Sequence, residues 1–350
     1  MPAPNGSPGL LLALLICLLP AAARAARPCT GGDCVAAAMA NSPVRHFRFW
    51  RSALHRPLRE RMGTAAPALV DYIRLDNIQS GRPERPQTSA ADAAFRQDVQ
   101  AVIDGLPARV QTLLQHKLAG VYLADHIGST GYTDMVQDRT GKPVAGFIVL
   151  DPSTLQGRTA NSWASWKENT PFQPTADFQL KAVIETPEQD NRRNALQYIL
   201  LHEIGHVLSI GTTLTPSWHQ PAGKVDAYGF TRLSWQLGAD GKELLAQDER
   251  QFPQRRDIVY YRQPKLPAVA MAPVYESLAA SSFVTLYAAT NPFDDFAEAF
   301  ASYVHVVLLH KPFAITIYQH GQLMLSYGPC WGQPRCAAKQ AILAQLLEAN

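Results

Sequence analysis

The sequence lacks a strong excess of charge of either sign: 32 lysines and arginines stand against 29 aspartates and glutamates, for a formal net charge of +3 at pH 7. The basic residues are scattered rather than arranged in a stripe, which argues against a protein that binds the phosphate backbone of nucleic acids. Charged residues make up only 17% of the chain and hydrophobic residues 47%. This composition excludes general disorder and predicts a globular protein with a substantial core.

The sequence also lacks an uninterrupted apolar run long enough to cross a bilayer. The run at residues 10–19 is too short to span and is followed by the small-residue pattern Ala23, Arg24 and Ala25. This combination is typical of a secretory signal peptide cleaved after Ala25, with an uncleaved membrane anchor as the alternative. We therefore predict a protein exported to the periplasm or the extracellular space, with no stable membrane insertion after cleavage.

Cysteine is scarce, and removal of the signal peptide would leave four residues: Cys29, Cys34, Cys330 and Cys336. An even number in an exported chain predicts two disulfides. The spacings CTGGDC and CWGQPRC favour two small local loops, with a tie between the chain ends as the alternative. Zinc ligation by these cysteines is disfavoured, because neither pair has the two-residue spacing usual in structural zinc sites.

Beyond the signal peptide at 1–25, the chain divides into two predicted regions. Residues 26–105 indicate a helical, charge-rich region that is either a pro-segment or an accessory module. Residues 106–350 open with an amphipathic helix and are predicted to form the functional domain. Within this domain, irregular Pro-, Gly- and Trp-rich sequence at 212–280 predicts loops and short helices.

Short β-rich runs bounded by Gly, Pro and Asp occur at 119–127, 144–151 and 178–185. We expect these runs to form one small sheet directly upstream of a long apolar helix. The predicted fold class is therefore α+β, mostly helical.

The long helix contains the motif HEIGH at 202–206. Thr186 with Gln189 three residues later has the form of a capping box and predicts the helix start, and Gly211 predicts its end. The second half is apolar on nearly every side, so the helix is predicted to be buried. Two histidines and a glutamate inside such a helix require a partner, because burying them unpaired costs free energy.

A zinc ion is the partner that this spacing favours. His202 and His206 are one helical turn apart and project from one face, so one nitrogen of each imidazole can reach the same metal. Glu203 lies on the adjacent edge of that face, where a carboxylate can take a proton from water without binding the metal.

A zinc site of this kind needs a third protein ligand. The metzincin pattern would place Gly at 209 and His at 212, and the presence of Ser209 and Thr212 excludes that class. His219 is a candidate whose loop favours an ordinary surface histidine. His305, on a second helix predicted at 294–310, is more simply a packed histidine.

The same second helix offers two acidic candidates. Asp294 and Glu298 are four residues apart and share a face, whereas Asp295 points elsewhere. Either carboxylate is a chemically acceptable zinc ligand.

The stretch YAATNPFDDFAEAF at 287–300 resembles a segment of the anthrax lethal-factor-like zinc metallopeptidases and related gluzincins. That family has a Tyr, an acidic zinc ligand seven residues later and a second acidic residue four further on, positions occupied here by Tyr287, Asp294 and Glu298. The family usually has Glu where this chain has Asp294. We favour Asp294 as the ligand, with Glu298 orienting a histidine; ligation by Glu298 is the alternative.

The resemblance implies a zincin-like metallopeptidase domain that binds one zinc ion per chain and cleaves a peptide or protein substrate. Glu203 would be the general base, and Tyr287 would donate a hydrogen bond to the developing oxyanion. The substrate would lie extended along an edge strand between 119 and 185. The alternatives are a zinc amide hydrolase acting on cell-wall peptides and a metallopeptidase-like binding protein without catalysis.

Overall fold

The computed structural model describes residues 32–89, 91–218, 225–241, 243–247 and 249–348. Within these ranges no helix combines the length and apolarity needed to cross a membrane. The predicted signal peptide, Cys29 and His219 lie outside the described residues.

Helices and small sheets are both present, which is consistent with the predicted α+β class. The helices are α1 Gly32–Ala40, α2 Phe47–Leu54, α3 Pro67–Gln79, α4 Ala93–Asp104, α5 Ala108–Lys117, α6 Ala160–Asn169, α7 Arg192–Ser209, α8 Met271–Ala280, α9 Pro292–Ser302 and α10 Ala337–Glu348. The strands are β1 Met62–Thr64, β2 Gln87–Thr88, β3 Leu118–Asp125, β4 Gly131–Gln137, β5 Pro143–Leu150, β6 Phe178–Val183, β7 Trp235–Leu237, β8 Leu244–Ala246, β9 Ala314–Gln319 and β10 Gln322–Tyr327.

The largest sheet has the order β1-β3-β5-β4, with β2 paired to the end of β3. β3 is parallel to both β1 and β5, whereas β4 runs antiparallel to β5. No described strand pairs with the other edge of β4, apart from an isolated bridge between His46 and Gln137 at its far end. The Gly131 end of β4 is therefore an open sheet edge, and α7 packs beside it.

The prediction of a single sheet upstream of the HEIGH helix was wrong in one respect. β3 and β5 belong to the same sheet, but β6 forms a separate antiparallel sheet with β9 and β10. β4, with its polar sequence GYTDMVQ, was not predicted as a strand. β6 pairs instead with a strand more than 130 residues away in the chain, a contact that local sequence does not encode.

The predicted start of the HEIGH helix at Thr186 was also wrong. Pro187–Gln189 form only a 3₁₀ turn, and Thr186 makes no side-chain capping bond. The turn ends at Asp190, whose carboxylate accepts hydrogen bonds from the Asn161 amide (2.8 Å) and the Thr159 hydroxyl (3.0 Å) at the start of α6. The helix proper begins after Asn191, whose side chain caps the Asn194 amide.

The predicted end of that helix is confirmed, because α7 stops at Ser209 and Gly211 has a φ of +67°. As predicted, the helix is buried: Leu196, Leu200 and Leu201 are each at most 1% exposed. The glycine of HEIGH, Gly205, explains how closely α7 approaches α9. A Cβ on Gly205 would lie 2.7 Å from the Ala297 Cα, so only glycine permits this approach of the two backbones.

The C-terminal segment contains a local disulfide and a buried ion pair to α9. Cys330 and Cys336 form the predicted local disulfide, and Cys34 is disulfide-bonded as well, so a tie from Cys34 to the C-terminal pair and zinc ligation by these cysteines are both excluded. Lys339 on α10 forms a fully buried ion pair with Asp295 at 2.5 Å. The ion pair fixes the position of α10 against α9.

Candidate metal centre

Three side chains from α7 and α9 converge on one point. His202 and His206 lie on one face of α7, and Asp294 lies in the first turn of α9 directly opposite. The two Nε2 atoms are 3.1 Å apart, and Asp294 Oδ1 lies 3.6 Å from His202 Nε2 and 3.3 Å from His206 Nε2.

The two distances from Asp294 Oδ1 fit a tetrahedral zinc site, and the distance between the two Nε2 atoms is slightly shorter than such a site requires. Ligands bound at about 2.0–2.2 Å with tetrahedral angles lie roughly 3.3–3.6 Å from one another. Two imidazole nitrogens and one carboxylate oxygen are also a donor set that zinc accepts. The described residues could therefore hold zinc through His202, His206 and Asp294.

Asp294 is oriented so that only one of its oxygens faces the histidines. Its Oδ2 accepts hydrogen bonds from the Asn291 side-chain amide (2.5 Å) and the Thr290 hydroxyl (3.2 Å). Asn291 is itself the N-cap of α9, and its side-chain oxygen accepts from the Asp294 amide. Local capping thus engages Oδ2 and leaves Oδ1 facing the two histidines.

Glu298 lies behind the histidines. His202 Nδ1 donates to Glu298 Oε1 at 2.9 Å, which fixes the tautomer that presents the Nε2 lone pair to the metal position. The Lys167 ammonium and the Thr285 hydroxyl donate to the same carboxylate at 3.0 Å and 2.8 Å. Asp294 Oδ1 therefore lies within 3.6 Å of both histidine Nε2 atoms, whereas Glu298 contacts His202 from the opposite, Nδ1 side of its ring.

The electrostatics of this pair keep Glu298 ionised. Burial alone would raise the pKa of Glu298, but the Lys167 charge and the His202 hydrogen bond hold it well below its ordinary value. Burial likewise opposes the charge on Lys167, yet Glu298 and Glu168 raise the pKa of its ammonium. Lys167 therefore stabilises Glu298 as a carboxylate, the form that accepts the hydrogen bond from His202 Nδ1 most strongly.

The point at which His202, His206 and Asp294 converge has a negative electrostatic environment. Burial lowers the pKa of His202, but the nearby carboxylates of Glu298, Glu203 and Asp294 outweigh this effect and raise it. Burial would raise the pKa of Asp294, and its contacts with both histidines lower it instead. Both shifts show an environment that favours a cation among these groups.

Glu203 lies between α7 and the open end of β4. Its Oε2 accepts a hydrogen bond of 2.6 Å from the Thr133 hydroxyl. A Cβ on Gly131 would overlap the Glu203 carboxylate, so glycine at the start of β4 makes room for this side chain. β4 thus fixes the Glu203 carboxylate beside the histidines. The carboxylate does not belong to the group of ligand atoms formed by His202, His206 and Asp294.

Tyr287 covers one face of His202. The two rings are nearly parallel at 23°, with centroids 5.4 Å apart, and Tyr260 packs on Tyr287 at 4.6 Å. Burial raises the pKa of Tyr287 well above its ordinary value, so the hydroxyl keeps its proton and can act as a hydrogen-bond donor.

Trp218 packs edge to face on His206 at 5.4 Å. This contact, like Lys167 and Thr133, was not predicted from the sequence. Nothing in the sequence near Lys167 or Thr133 distinguishes either residue from a surface lysine or a strand threonine. A tryptophan twelve residues after HEIGH offered only a weak signal of a loop folding back on the helix.

Asp295 lies away from the site, as expected, on the opposite side of α9 with Lys339 and Trp235. His305 also lies elsewhere, in a π-helical segment at Tyr303–Leu308 that follows α9. Its Nε2 lies 2.9 Å from the Ile184 carbonyl and 3.1 Å from the Pro312 carbonyl, to which it donates. His305 is a packed core histidine.

We expect His305 to make stability fall on mild acidification. Burial, aided by the Lys311 charge, lowers the pKa of His305 to about 4, below the ordinary 6.5. Between these values the unfolded chain binds a proton that the folded chain does not, so stability is lost as the pH falls from about 6.5 to 4, by about 3 kcal/mol. Urea unfolding at pH 7 and pH 4.5 should show a smaller loss in His305→Gln. His320→Gln, at an exposed position, should behave like the unchanged chain; equal losses in all three would contradict this role.

No family model matches this chain, and neither the curated proteins nor the solved structures include a significant match to it.

Proposed function

We propose that this chain is an exported zinc-dependent endopeptidase with a zincin-like catalytic domain. The observation that carries the proposal is the convergence of His202, His206 and Asp294 at zinc-ligand spacing, with the Glu203 carboxylate beside them at an open strand edge. Two motifs about 90 residues apart in the chain supply this constellation, which makes a chance arrangement of surface acids a poor explanation.

Each residue of the site would have a distinct role in hydrolysis. His202, His206 and Asp294 would hold the metal, which when bound polarises the scissile carbonyl and lowers the pKa of water towards 7. Glu203 accepts a proton from the attacking water at its carboxylate and then passes it to the nitrogen of the leaving amine. Tyr287 donates its hydroxyl proton as a hydrogen bond to the oxyanion that develops on the carbonyl oxygen.

The open edge of β4 indicates where the substrate would bind. An extended peptide can pair with the open edge of this strand through main-chain hydrogen bonds. Because Gly131 and Thr133 of β4 both contact Glu203, a peptide on this edge passes directly over the general base.

The decisive measurement is zinc content per chain in residues 26–350 after extensive dialysis. We expect about one zinc in the unchanged chain and in His320→Ala, whose histidine is exposed, and none in His206→Ala. A chain that neither retains zinc nor binds it on reconstitution would overturn the proposal. A chain that binds zinc but cleaves no peptide in an unbiased library would instead be a metallopeptidase-like binding protein.

A further inference from the structure

A cavity of about 530 Å³ lies beside the candidate centre, between the end of α6, the start of β4 and the segment 261–264. Its volume falls within the range of about 300–1,000 Å³ typical of ligand sites. The aromatic surface in it comes from Trp166, Phe172 and Tyr261, with Pro174 and Pro264 beside them.

Most polar side chains around this cavity already have partners in the protein. Asp151 accepts from the Ser153 hydroxyl and from the Ile127 amide, and the Asn169 side-chain amide donates to the Ser165 and Leu180 carbonyls. The Thr170 hydroxyl donates to the Lys167 carbonyl. Glu84, whose Oε2 is buried without a hydrogen-bond partner in the described part of the chain, and His126 also line the cavity, but the remaining surface is mainly apolar.

Trp166 is also held in place before any ligand arrives. The Arg158 guanidinium stacks over its ring at 4.4 Å from the centroid, and Tyr261 packs against it with ring centroids 5.6 Å apart. A rigid aromatic wall loses little entropy on binding, which favours affinity for an apolar side chain.

The cavity adjoins the smaller one at the candidate site. Ser129 and Tyr261 line both this cavity and the small one that contains His202, Glu203 and Tyr287. Ser129 precedes Gly131 by two residues, and a strand rises about 3.3 Å per residue. A peptide on the edge of β4 with its scissile bond near Glu203 therefore brings a side chain within two residues of that bond to the cavity.

From this placement we infer that the cavity is a specificity pocket for a large apolar side chain, aromatic or leucine-like, within two residues of the scissile bond. The inference rests on the proposed peptidase function. It names the substrate class as peptides that carry such a residue next to the cleavage point, rather than peptides of small or charged residues.

Cleavage of an unbiased peptide library by the zinc-loaded chain tests the pocket. We expect enrichment of Phe, Trp, Tyr or Leu at one position within two residues of the cleaved bond. A cleaved peptide with Phe there should exceed its Ala counterpart in kcat/KM by at least about 10-fold, since apolar pocket contacts discriminate by about 10–200-fold. The preference should shrink in Trp166→Phe and fall below about 3-fold in Trp166→Ala.

Trp331→Ala is the matched control, because Trp331 is similarly half-buried but packs on Tyr303 away from the cleft. This variant should keep the full preference for the Phe peptide.

Binding of the Phe and Ala peptides to the Glu203→Gln chain distinguishes the pocket proposal from the peptidase proposal. Tighter binding of the Phe peptide without any hydrolysis by the unchanged chain would leave the pocket standing and overturn the peptidase. Hydrolysis with no neighbouring apolar preference, or a preference that persists in Trp166→Ala, would overturn the pocket alone.

Discussion

Replacement of Glu203 by glutamine is expected to lower kcat for peptide hydrolysis by about 10²–10⁴-fold while zinc content stays near one per chain. Glutamine has the same shape, so its side-chain oxygen can still accept the 2.6 Å hydrogen bond from Thr133 and fill the space beside Gly131. What it lacks is a carboxylate able to take the proton from water. Because Glu203 is not a proposed ligand, metal binding should be unaffected.

Steady-state kinetics and zinc analysis on the same preparations check this expectation. Glu276→Gln, at an exposed position on α8, is the matched control for the loss of one negative charge and should keep full activity. A Glu203→Gln chain that cleaves peptides at the normal rate would show that another group is the base. A variant that loses both activity and zinc would point to a structural or ligating role for Glu203.

The part of the site that could be predicted from the sequence is the part encoded by helical spacing. His202 and His206 share a face because they are four residues apart, and the structure places them so. Asp294 and Glu298 share a face for the same reason, but pairing that face with HEIGH required the family resemblance. Local sequence carries no information about which two helices pack together.

The features that could not be predicted from the sequence all depend on such packing. Lys167 meets Glu298 only because α6 and α9 both pack against α7, and Thr133 meets Glu203 only because β4 borders the same helix. The capping pattern at Thr186 failed for a related reason. The carboxylate of Asp190 binds the start of α6, and this contact ends the turn that the local pattern would have continued.

Substitutions at Asp294 and at Glu298 are expected to weaken zinc binding to different extents. Asp294→Ala removes the oxygen that lies 3.3 Å and 3.6 Å from the two histidine nitrogens, leaving two protein ligands. Glu298→Gln keeps all three ligands and loses the charge that orients His202, a change that typically costs about 10–100-fold in metal affinity. We therefore expect zinc to bind more weakly in Asp294→Ala than in Glu298→Gln.

Competition with a zinc chelator measures both affinities, and thermal unfolding of the zinc-free chains separates ligand loss from damage to the fold. Glu298→Gln should be the less stable variant, because it leaves the Lys167 cation, only 5% exposed at its side chain, without its closest carboxylate. Among the described residues, Asp294 forms no ion pair with a lysine or arginine, so its loss should spare the fold and affect the metal. The reverse order of affinities would identify Glu298, one turn further along α9, as the ligand.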